Sequence, residues 1–233
     1  MVEWLFQSLD PTREHNVPFL IAWHGRAMFL AFGFLAPLAI LTARFGKIWP
    51  GQKWPEELDN QNWWIIHLVC QTLIIILASL ALFLTLNEIS EPDAPLHRIM
   101  GYSTLMLVAM QYASGLFRGT KGGPTEAKMR GDHYDMTLRR IWFEKIHKSL
   151  GYITLLLGFA TIASGLWAAN APNWMALIIA IWWVFLVSCF AVLQRLGYAF
   201  DTYQAHWGTD PELAGNRREP IGWGIRRFRR DED

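Results

Sequence analysis

Residues 149–194 read SLGYITLLLGFATIASGLWAANAPNWMALIIAIWWVFLVSCFAVLQ and contain no Asp, Glu, Lys or Arg. A helix that crosses the hydrocarbon core of a membrane needs about 20 apolar residues. This run of 46 residues is therefore too long for one crossing, and the segment ANAPN at 169–173 interrupts it. The run predicts two consecutive membrane helices that point in opposite directions.

Three further runs lack charged residues in the same way. They are Ala27–Ala43, Asn60–Asn87 and Ile99–Phe117, with 17, 28 and 19 residues. Charged residues make up only 18% of the chain, against about 25% in a soluble domain. Together the runs predict an all-α integral membrane protein, a five-helix bundle in contact with membrane lipid.

The same pattern excludes several other classes of protein. Soluble globular enzymes and disordered chains do not have such runs. The basic residues lie between the spans instead of on one basic face, which excludes a nucleic-acid binder. Cys70 and Cys189 both lie inside apolar runs, which excludes a secreted disulfide scaffold.

Loop charge predicts the orientation of the chain. The first 18 residues contain three acidic residues and no apolar stretch after a basic start, so we expect no removable signal peptide. Of the Lys and Arg residues, 3 fall on the N-terminal side of five spans and 18 on the other. The positive-inside rule then places the N-terminus outside and the C-terminus in the cytoplasm. We expect an outer segment at 1–19, a transmembrane domain at 20–196 and a cytoplasmic basic tail at 197–233.

The third and fourth spans repeat one another. Residues 97–117 read HRIMGYSTLMLVAMQYASGLF and residues 147–167 read HKSLGYITLLLGFATIASGLW, with 10 identities in 21 positions. Because consecutive spans are antiparallel, a two-fold axis in the membrane plane would relate the two copies. A site that one copy forms near the outer surface is then formed by the other near the inner surface.

Four histidines lie near the starts of the first four spans: His24, His67, His97 and His147. An imidazole in hydrocarbon is costly without a partner, so each is a candidate functional residue. Spans one and three begin outside, whereas spans two and four begin inside. His24 can therefore meet only His97, and His67 can meet only His147.

Two histidines in each leaflet of a helical bundle suit a planar ligand that is bound on both faces, which predicts two haems. The sequence has no Cys-x-x-Cys-His, so the haems would be non-covalent, b-type groups. Bis-histidine ligation fills both axial positions of the iron and leaves no open position for a substrate. Electron transfer is the remaining chemistry.

Four glycines follow these histidines at fixed spacings. Gly101 and Gly151 lie one turn after His97 and His147, where a Cβ would press on a coordinated ring. Gly115 and Gly165 lie 14 residues further along, roughly 21 Å down the helix axis and at the depth of the other site. We interpret all four as haem-facing positions; the alternative is that they are small-residue helix contacts.

Basic residues near the span ends are candidate partners for haem propionates. They are Arg26 and Arg98 on the outer side, and Arg140, Lys145 and Lys148 on the inner side. Their alternative role is that of interfacial residues that fix topology. His15, His133 and His206 lie outside the spans, and a solvated loop is favoured over a metal site for Asp132-His133-Tyr134-Asp135.

The chain resembles the cytochrome b561 family over residues 20–196. The resemblance rests on WHGRAM at 23–28 with Ala43-Arg44, on His67 with Gln71, and on the repeats His97–Gly115 and His147–Gly165, the first followed by Arg118. It implies four helices that hold two b haems, with His24, His67, His97 and His147 as the iron ligands, and a peripheral fifth helix. It also implies that electrons pass from a cytoplasmic reductant to an outside acceptor.

Two departures from the family pattern concern the electron donor. Eukaryotic members often have proline after the first histidine, where this chain has Gly25. Members that use ascorbate have a lysine shortly before the second histidine, where this chain reads NQNWW at 60–64. The missing lysine argues against ascorbate as the donor. The chain is more similar to the compact bacterial members, which implies a bacterial inner membrane.

The sequence therefore predicts an electron-transfer oxidoreductase of the cytochrome b561 type. Its donor would be a small molecule or a membrane quinol, and the sequence does not identify its electron acceptor or protein partner. The alternative function is a membrane anchor or assembly subunit of a larger complex, with haem structural or absent. In that case the basic segment RRFRR at 226–230 would dock the partner or anionic lipid.

Overall fold

The computed structural model describes residues 2–86, 94–123 and 126–228. These residues form α-helices and no β-strand beyond two isolated bridges, so the all-α class is confirmed. The short helices are α1 (Val2–Phe6) and α8 (Thr202–Trp207). The first span consists of α2 (Phe19–Met28), a π-helical turn (Phe29–Leu35) and α3 (Ala36–Phe45). The other long helices are α4 (Asn62–Thr85), α5 (Pro95–Leu116), α6 (Leu138–Ala168) and α7 (Asn173–Arg195).

Four helical segments of the described chain are long and apolar enough to cross a membrane. They are Phe19–Phe45, Asn62–Thr85, Leu138–Ala168 and Asn173–Arg195, which makes the protein an integral membrane protein. The other predicted span corresponds to α5, a helix of 22 residues. Gln111 and several small or hydroxyl residues make α5 less apolar than its neighbours. The end of the second charge-free run, Asn87, lies outside the described residues.

The π-helical turn in the first span is adjacent to a proline. Pro37 has no N–H, so the carbonyl of Gly33, four residues earlier, loses the donor that a regular helix would supply. The indole Nε1 of Trp182 in α7 donates to this carbonyl at 2.8 Å instead. The ring of Trp182 also stacks on Phe34, with the centroids 5.5 Å apart. Helix α7 is therefore hydrogen-bonded to the first span within its π-helical turn.

We expect Trp182→Phe to lower the free energy of unfolding by about 1 to 3 kcal/mol, because it leaves the Gly33 carbonyl without its side-chain donor. Trp183→Phe is the matched control, since the Trp183 Nε1 is buried and has no hydrogen-bond partner. Denaturant unfolding of both variants, followed by circular dichroism in detergent, measures the difference. Equal losses in the two variants would show that the Trp182–Gly33 bond contributes nothing.

The described residues divide into two compact units. The first comprises residues 2–38, 70–86, 94–109 and 152–189. Its buried core contains Ala31, Phe32, Ile74, Ala78 and Val108. Gly158 of α6 lies against Phe32, and a Cβ built on this glycine would be 3.4 Å from the phenyl ring. The close approach of these two residues packs α6 on the first span.

The second unit comprises residues 39–69, 110–123, 126–151 and 190–228. Its buried core contains Met136, Tyr203 and Trp207, so the segment after α7 is folded into the unit. Phe228 stacks on Phe200 with the ring centroids 5.2 Å apart and also contacts Trp54 at 4.7 Å. The predicted basic tail is thus packed against the loops as far as Phe228. Arg229 and Arg230 of the RRFRR segment lie outside the described residues.

Candidate functional site

The first unit brings His24 and His97 together. Their ring centroids are 6.2 Å apart and the ring planes are inclined by 82°. The Nδ1 of His24 lies 3.0 Å from the carbonyl oxygen of Ala81, and the Nδ1 of His97 lies 3.1 Å from that of Thr161. The Ser164 hydroxyl adds a second contact to His97 Nδ1 at 3.2 Å. Each ring is therefore held by a neighbouring helix through Nδ1.

The second unit brings His67 and His147 together in the same way. Their ring centroids are 6.3 Å apart, with the planes inclined by 67°. The Nδ1 of His67 lies 3.1 Å from the carbonyl oxygen of Ala39, at the start of α3. The Nδ1 of His147 lies 3.0 Å from the hydroxyl of Ser114 in α5. Both rings are again fixed through Nδ1.

These contacts determine which ring nitrogen is available for a ligand. A carbonyl oxygen can only accept a hydrogen bond, so Nδ1 of His24, His67 and His97 carries the proton and donates it. In the neutral form of each ring, Nε2 then has a free lone pair. Metal-binding histidines are held in this manner, with the second nitrogen donating to a carbonyl.

The spacing of the two ring pairs also fits a metal between them. A metal bound about 2 Å from each of two facing imidazole nitrogens requires ring centroids roughly 6 Å apart. Both pairs, at 6.2 and 6.3 Å, have this separation. The available Nε2 atoms and the separation of the rings therefore fit a haem iron that each histidine pair would hold.

Two of the four predicted glycines lie directly against the histidine rings. A Cβ on Gly165 would be 2.9 Å from Cε1 of His97, and one on Gly115 would be 3.8 Å from Cε1 of His147. Gly165 thus has no space for a side chain, whereas Gly115 has space for a methyl group. Each of these glycines is 18 residues after the histidine of its own repeat. Each faces the histidine of the other repeat.

The other two glycines contact polar side chains instead of a histidine. A Cβ on Gly151 would be 3.0 Å from Nε2 of Gln111, and one on Gly101 would be 3.9 Å from Thr161. Gln111 Nε2 also donates to the backbone carbonyl of His147 at 2.8 Å. Substitution of Gly151 would therefore disturb a side chain that holds the backbone of His147.

The structure identifies supporting residues that the motif analysis missed. Ser114 and Ser164 occupy equivalent positions in the two repeats, and each contacts the Nδ1 atom of the histidine in the other repeat. Gln111 and Thr161 are likewise equivalent. Gln111 contacts His147, and Thr161 contacts His97. The repeat alignment was the available signal, because it places these polar residues 14 and 17 positions after each histidine.

The predicted propionate-binding cations have other partners in the structure. The Arg26 guanidinium lies 5.1 Å from the centroid of the Trp23 ring, and Lys145 Nζ lies 5.7 Å from that of Trp142. Arg98 lies in the first turn of α5, one residue after His97. Arg140 and Lys148 both bind the buried carboxylate of Glu144, at 2.9 and 2.7 Å. Glu144 therefore competes with any propionate for two of the three inner-side candidates.

Arg118 is a further cation of the second unit. Its guanidinium lies 4.5 Å from the centroid of the Trp64 ring, one turn before His67 in α4. Burial and the nearby positive charge of Arg140 lower the pKa of Arg118 from its ordinary value. A partly buried cation beside another cation favours an anionic partner. Arg118 is therefore an additional candidate for a propionate contact.

The expectation of a solvated loop at Asp132-His133-Tyr134-Asp135 is wrong for His133. The side chains of His133 and His206 are buried, with only 1% and 7% of their surface exposed. His206 belongs to the segment after α7, and this segment also covers the ring of His133, since Tyr203 and Trp207 contact it. Sequence patterns gave no signal of this burial, because it depends on how the last 30 or so residues fold back.

The fold and these sites define a class of protein: an all-α integral membrane protein with paired, metal-competent histidines in its helices. The profile of the eukaryotic cytochrome b561 family matches residues 23–171, which is more than half of the chain. The chain therefore belongs to the cytochrome b561 family, which confirms the resemblance seen in the sequence. Membership implies haem b as the cofactor.

A curated relative supports the same assignment. A cytochrome b561, DM13 and DOMON domain-containing protein of Arabidopsis thaliana is 24% identical over 144 residues. The aligned region is 61% of this chain but only 14% of that relative, which is a much longer protein. The similarity therefore covers one part of the relative. No solved structure matches the sequence.

Proposed function

We propose that the protein transfers electrons across a membrane through two b haems, each bound by one histidine pair. His24 and His97 would bind the haem of the first unit, and His67 and His147 the haem of the second. When bound, each haem supplies a one-electron redox couple. The protein supplies the axial nitrogens, the hydrogen bonds that orient them and the glycines that leave space beside the rings.

The arrangement of Nδ1 contacts is the observation that favours this function. All four rings bind a backbone carbonyl or a serine hydroxyl through Nδ1, so the same nitrogen, Nε2, remains for the iron in each pair. Histidines that served only as polar helix contacts would not share this pattern and also have equal ring spacings. Filled axial positions favour electron transfer over oxygen or substrate chemistry.

Loop charge supports a direction for the transfer. The side that contains the α3–α4 loop, the α5–α6 loop and the C-terminal segment has the excess of Lys and Arg, which favours a cytoplasmic location. We therefore propose that electrons enter at the His67–His147 haem and leave at the His24–His97 haem. The donor would be a soluble small molecule or a membrane quinol, and the acceptor lies outside.

A cleft of the second unit is a candidate entry point for the donor. It has a volume of about 360 Å³ and is lined by Ile141 and Lys145 of α6 and by Arg218 and Ile221 of the C-terminal segment. Lys145 is two residues before His147 on the same helix. Stopped-flow reduction by a soluble quinol and by ascorbate, each with Lys145→Gln as the test variant, would distinguish the donors.

We expect the purified protein to contain two b haems per chain, both low-spin and six-coordinate, because each iron would have two histidine ligands. Haem extraction with pyridine gives the number of haems, and the absorption and electron paramagnetic resonance spectra give the spin state. One haem per chain, or a high-spin spectrum that changes on addition of carbon monoxide, would contradict the proposal. Absence of haem would favour the alternative of a membrane anchor.

A further inference from the structure

Four buried titratable side chains of the second unit lie in a row that the electron-transfer function does not use. We refer to Asp59, His206, His133 and Glu144 as the histidine row; each is at most 7% exposed. His206 Nε2 is 3.4 Å from Asp59 Oδ1, and His133 Nε2 is 3.7 Å from Glu144 Oε1. The two imidazole rings lie edge to face, with their centroids 5.1 Å apart.

The tautomer of His206 follows from its backbone contact. His206 Nδ1 lies 2.7 Å from the carbonyl oxygen of Thr202, so Nδ1 carries a proton and donates it. In the neutral ring, Nε2 is then an unprotonated acceptor that faces a carboxylate oxygen of Asp59. Two acceptors in contact repel one another. A proton on Nε2 would turn this contact into an ion pair with a hydrogen bond.

Two further atoms of the row have no hydrogen-bond partner. They are Nε2 of His133 and Oδ2 of Asp59, and both are buried. A buried polar atom without a partner is destabilising, and such atoms are rare in folded proteins. A proton on Nε2 of His133 would give this atom a partner in Glu144, and a proton on Nε2 of His206 would replace the repulsion from Asp59 Oδ1 with attraction.

Burial and the surrounding cations keep the two imidazoles of the row neutral in the resting state. Lys121 binds Asp59, and Arg140 and Lys148 bind Glu144. Lys47 is a further charged group close to Glu144, Lys148 and Asp201, and the ring of Tyr203 contacts His133. Burial lowers the pKa of His206 to about 4. Burial, together with the charge of Arg140, holds the pKa of His133 well below its usual range.

A proton fits the row better than a metal ion does. Among the described residues, no three His, Cys, Asp or Glu side chains converge closely enough to hold a metal. The three surrounding cations would also repel a divalent ion more strongly than they repel a single proton. The row is therefore a site with free lone pairs and the capacity for one positive charge.

We propose that the histidine row is a proton-binding site whose occupancy is linked to reduction of the haem held by His67 and His147. This inference rests on the proposed function of that histidine pair. Glu144 is one helical turn before His147 in α6, so the row lies close to the haem ligand along the helix. One electron from the donor would reach the haem, and one proton from water would form an N–H bond at Nε2 of His206 or His133.

The physical link is electrostatic. An electron on the haem adds one negative charge near α6 and so strengthens proton binding at the row. For charges about 10 Å apart at an effective dielectric constant of about 20, the change in proton affinity is roughly tenfold. Linkage is reciprocal, so protonation raises the midpoint potential of the haem by the corresponding amount, about 59 mV for one electron.

Redox titration of the full-length haem-loaded protein between pH 4 and 8 tests the inference. Because the reduced state binds the proton more tightly, we expect one midpoint potential to fall by about 59 mV as pH rises across this range. The fall should begin near pH 4, where His206 loses its proton in the oxidised protein. His206→Gln and His133→Gln should each weaken this pH dependence, and the double variant should make the midpoint independent of pH. His15→Gln, an exposed histidine of the first unit, should leave it unchanged.

Two further measurements keep the result decisive. Proton uptake during reduction, followed with an indicator dye in weak buffer, should exceed zero in the wild type and fall in both row variants. If the variants do not fold, the wild-type protein alone decides: a midpoint potential that does not vary with pH would overturn the inference. Stoichiometric metal beyond the haem iron in the purified protein, lost in His206→Gln, would overturn it too. Loss of haem from the wild type would instead contradict the proposed function.

A readout without haem is available from hydrogen exchange in the apoprotein. His206 is neutral in the folded state down to about pH 4, whereas the unfolded state takes up its proton below about pH 6.5. The local stability due to neutral His206 is therefore present above pH 6.5 and is lost as pH falls toward 4. Opening of the segment 202–207 should increase by up to roughly 300-fold over this range. His206→Gln should show no such increase.

Discussion

We expect His97→Ala to remove one of the two haems and His147→Ala to remove the other, with the remaining haem intact in each variant. His97 and His147 belong to different units and have different ring partners, so each substitution removes one histidine from one pair only. Haem content should fall from two to one per chain in either variant. The double variant should contain none.

The two single variants should differ in the side from which the remaining haem is reduced. In oriented vesicles with a membrane-impermeant reductant, His97→Ala should still be reduced from the side of the α5–α6 loop. His147→Ala should not accept electrons from that side, because its entry haem is missing, although its other haem should be reducible from the opposite side. Normal reduction of His147→Ala from the loop side would contradict either the pairing or the orientation.

A control separates these explanations. His15→Ala changes an exposed histidine of the first unit and should retain both haems and both rates of reduction. A cysteine introduced at position 130, in the α5–α6 loop, should react with an impermeant thiol reagent from one side only. If labelling places this loop outside, the direction of transfer is reversed and the histidine pairing is unaffected.

The second large effect is expected at Gly165. The methyl group of Gly165→Ala would lie 2.9 Å from Cε1 and 3.2 Å from Nδ1 of His97. The ring cannot move freely, because its Nδ1 is bound to Thr161 and Ser164. The substitution should cost about 1 to 3 kcal/mol, as overpacking of a tight core does. It should appear as loss or a shifted potential of one haem.

Gly115→Ala is the matched control, because Gly115 is the equivalent position in the other repeat. Its methyl group would lie 3.8 Å from Cε1 of His147, an ordinary contact distance. The greater helix propensity of alanine, worth up to about 1 kcal/mol, would offset a small loss of space. Equal haem retention in both variants would favour the interpretation that these glycines are only helix contacts. Gly115→Leu, with its larger side chain, should cause the loss or shifted potential of one haem that is expected for Gly165→Ala.

The competition for inner-side cations affects how the second haem would be held. Glu144 binds Arg140 and Lys148, which leaves Lys145 and Arg118 as the candidates that Glu144 does not bind. Sequence position alone did not separate these residues, because all of them lie near the ends of spans. The ion pairs separate them, since a carboxylate already bound within one helix reduces the charge offered to a ligand.

The sequence alone determined the membrane character of the chain and the family to which it belongs. Charged residues are costly in hydrocarbon, so their absence over runs of 17 to 46 residues marks helices wherever the chain folds. Span parity likewise restricts which histidines can meet, because helices that cross a membrane alternate in direction. His24 lies beside His97, and His67 beside His147, in the structure.

Only the tertiary structure decided the features that depend on contacts between distant segments. The Nδ1 partners of the histidines, the difference in space at Gly165 and Gly115, and the donor from Trp182 to Gly33 all depend on how one helix packs on another. The burial of His133 and His206 depends on the C-terminal segment, whose polar sequence is typical of a solvated tail. Hydrophobic pattern specifies which residues leave water, but the partner of a buried polar atom is set by packing geometry.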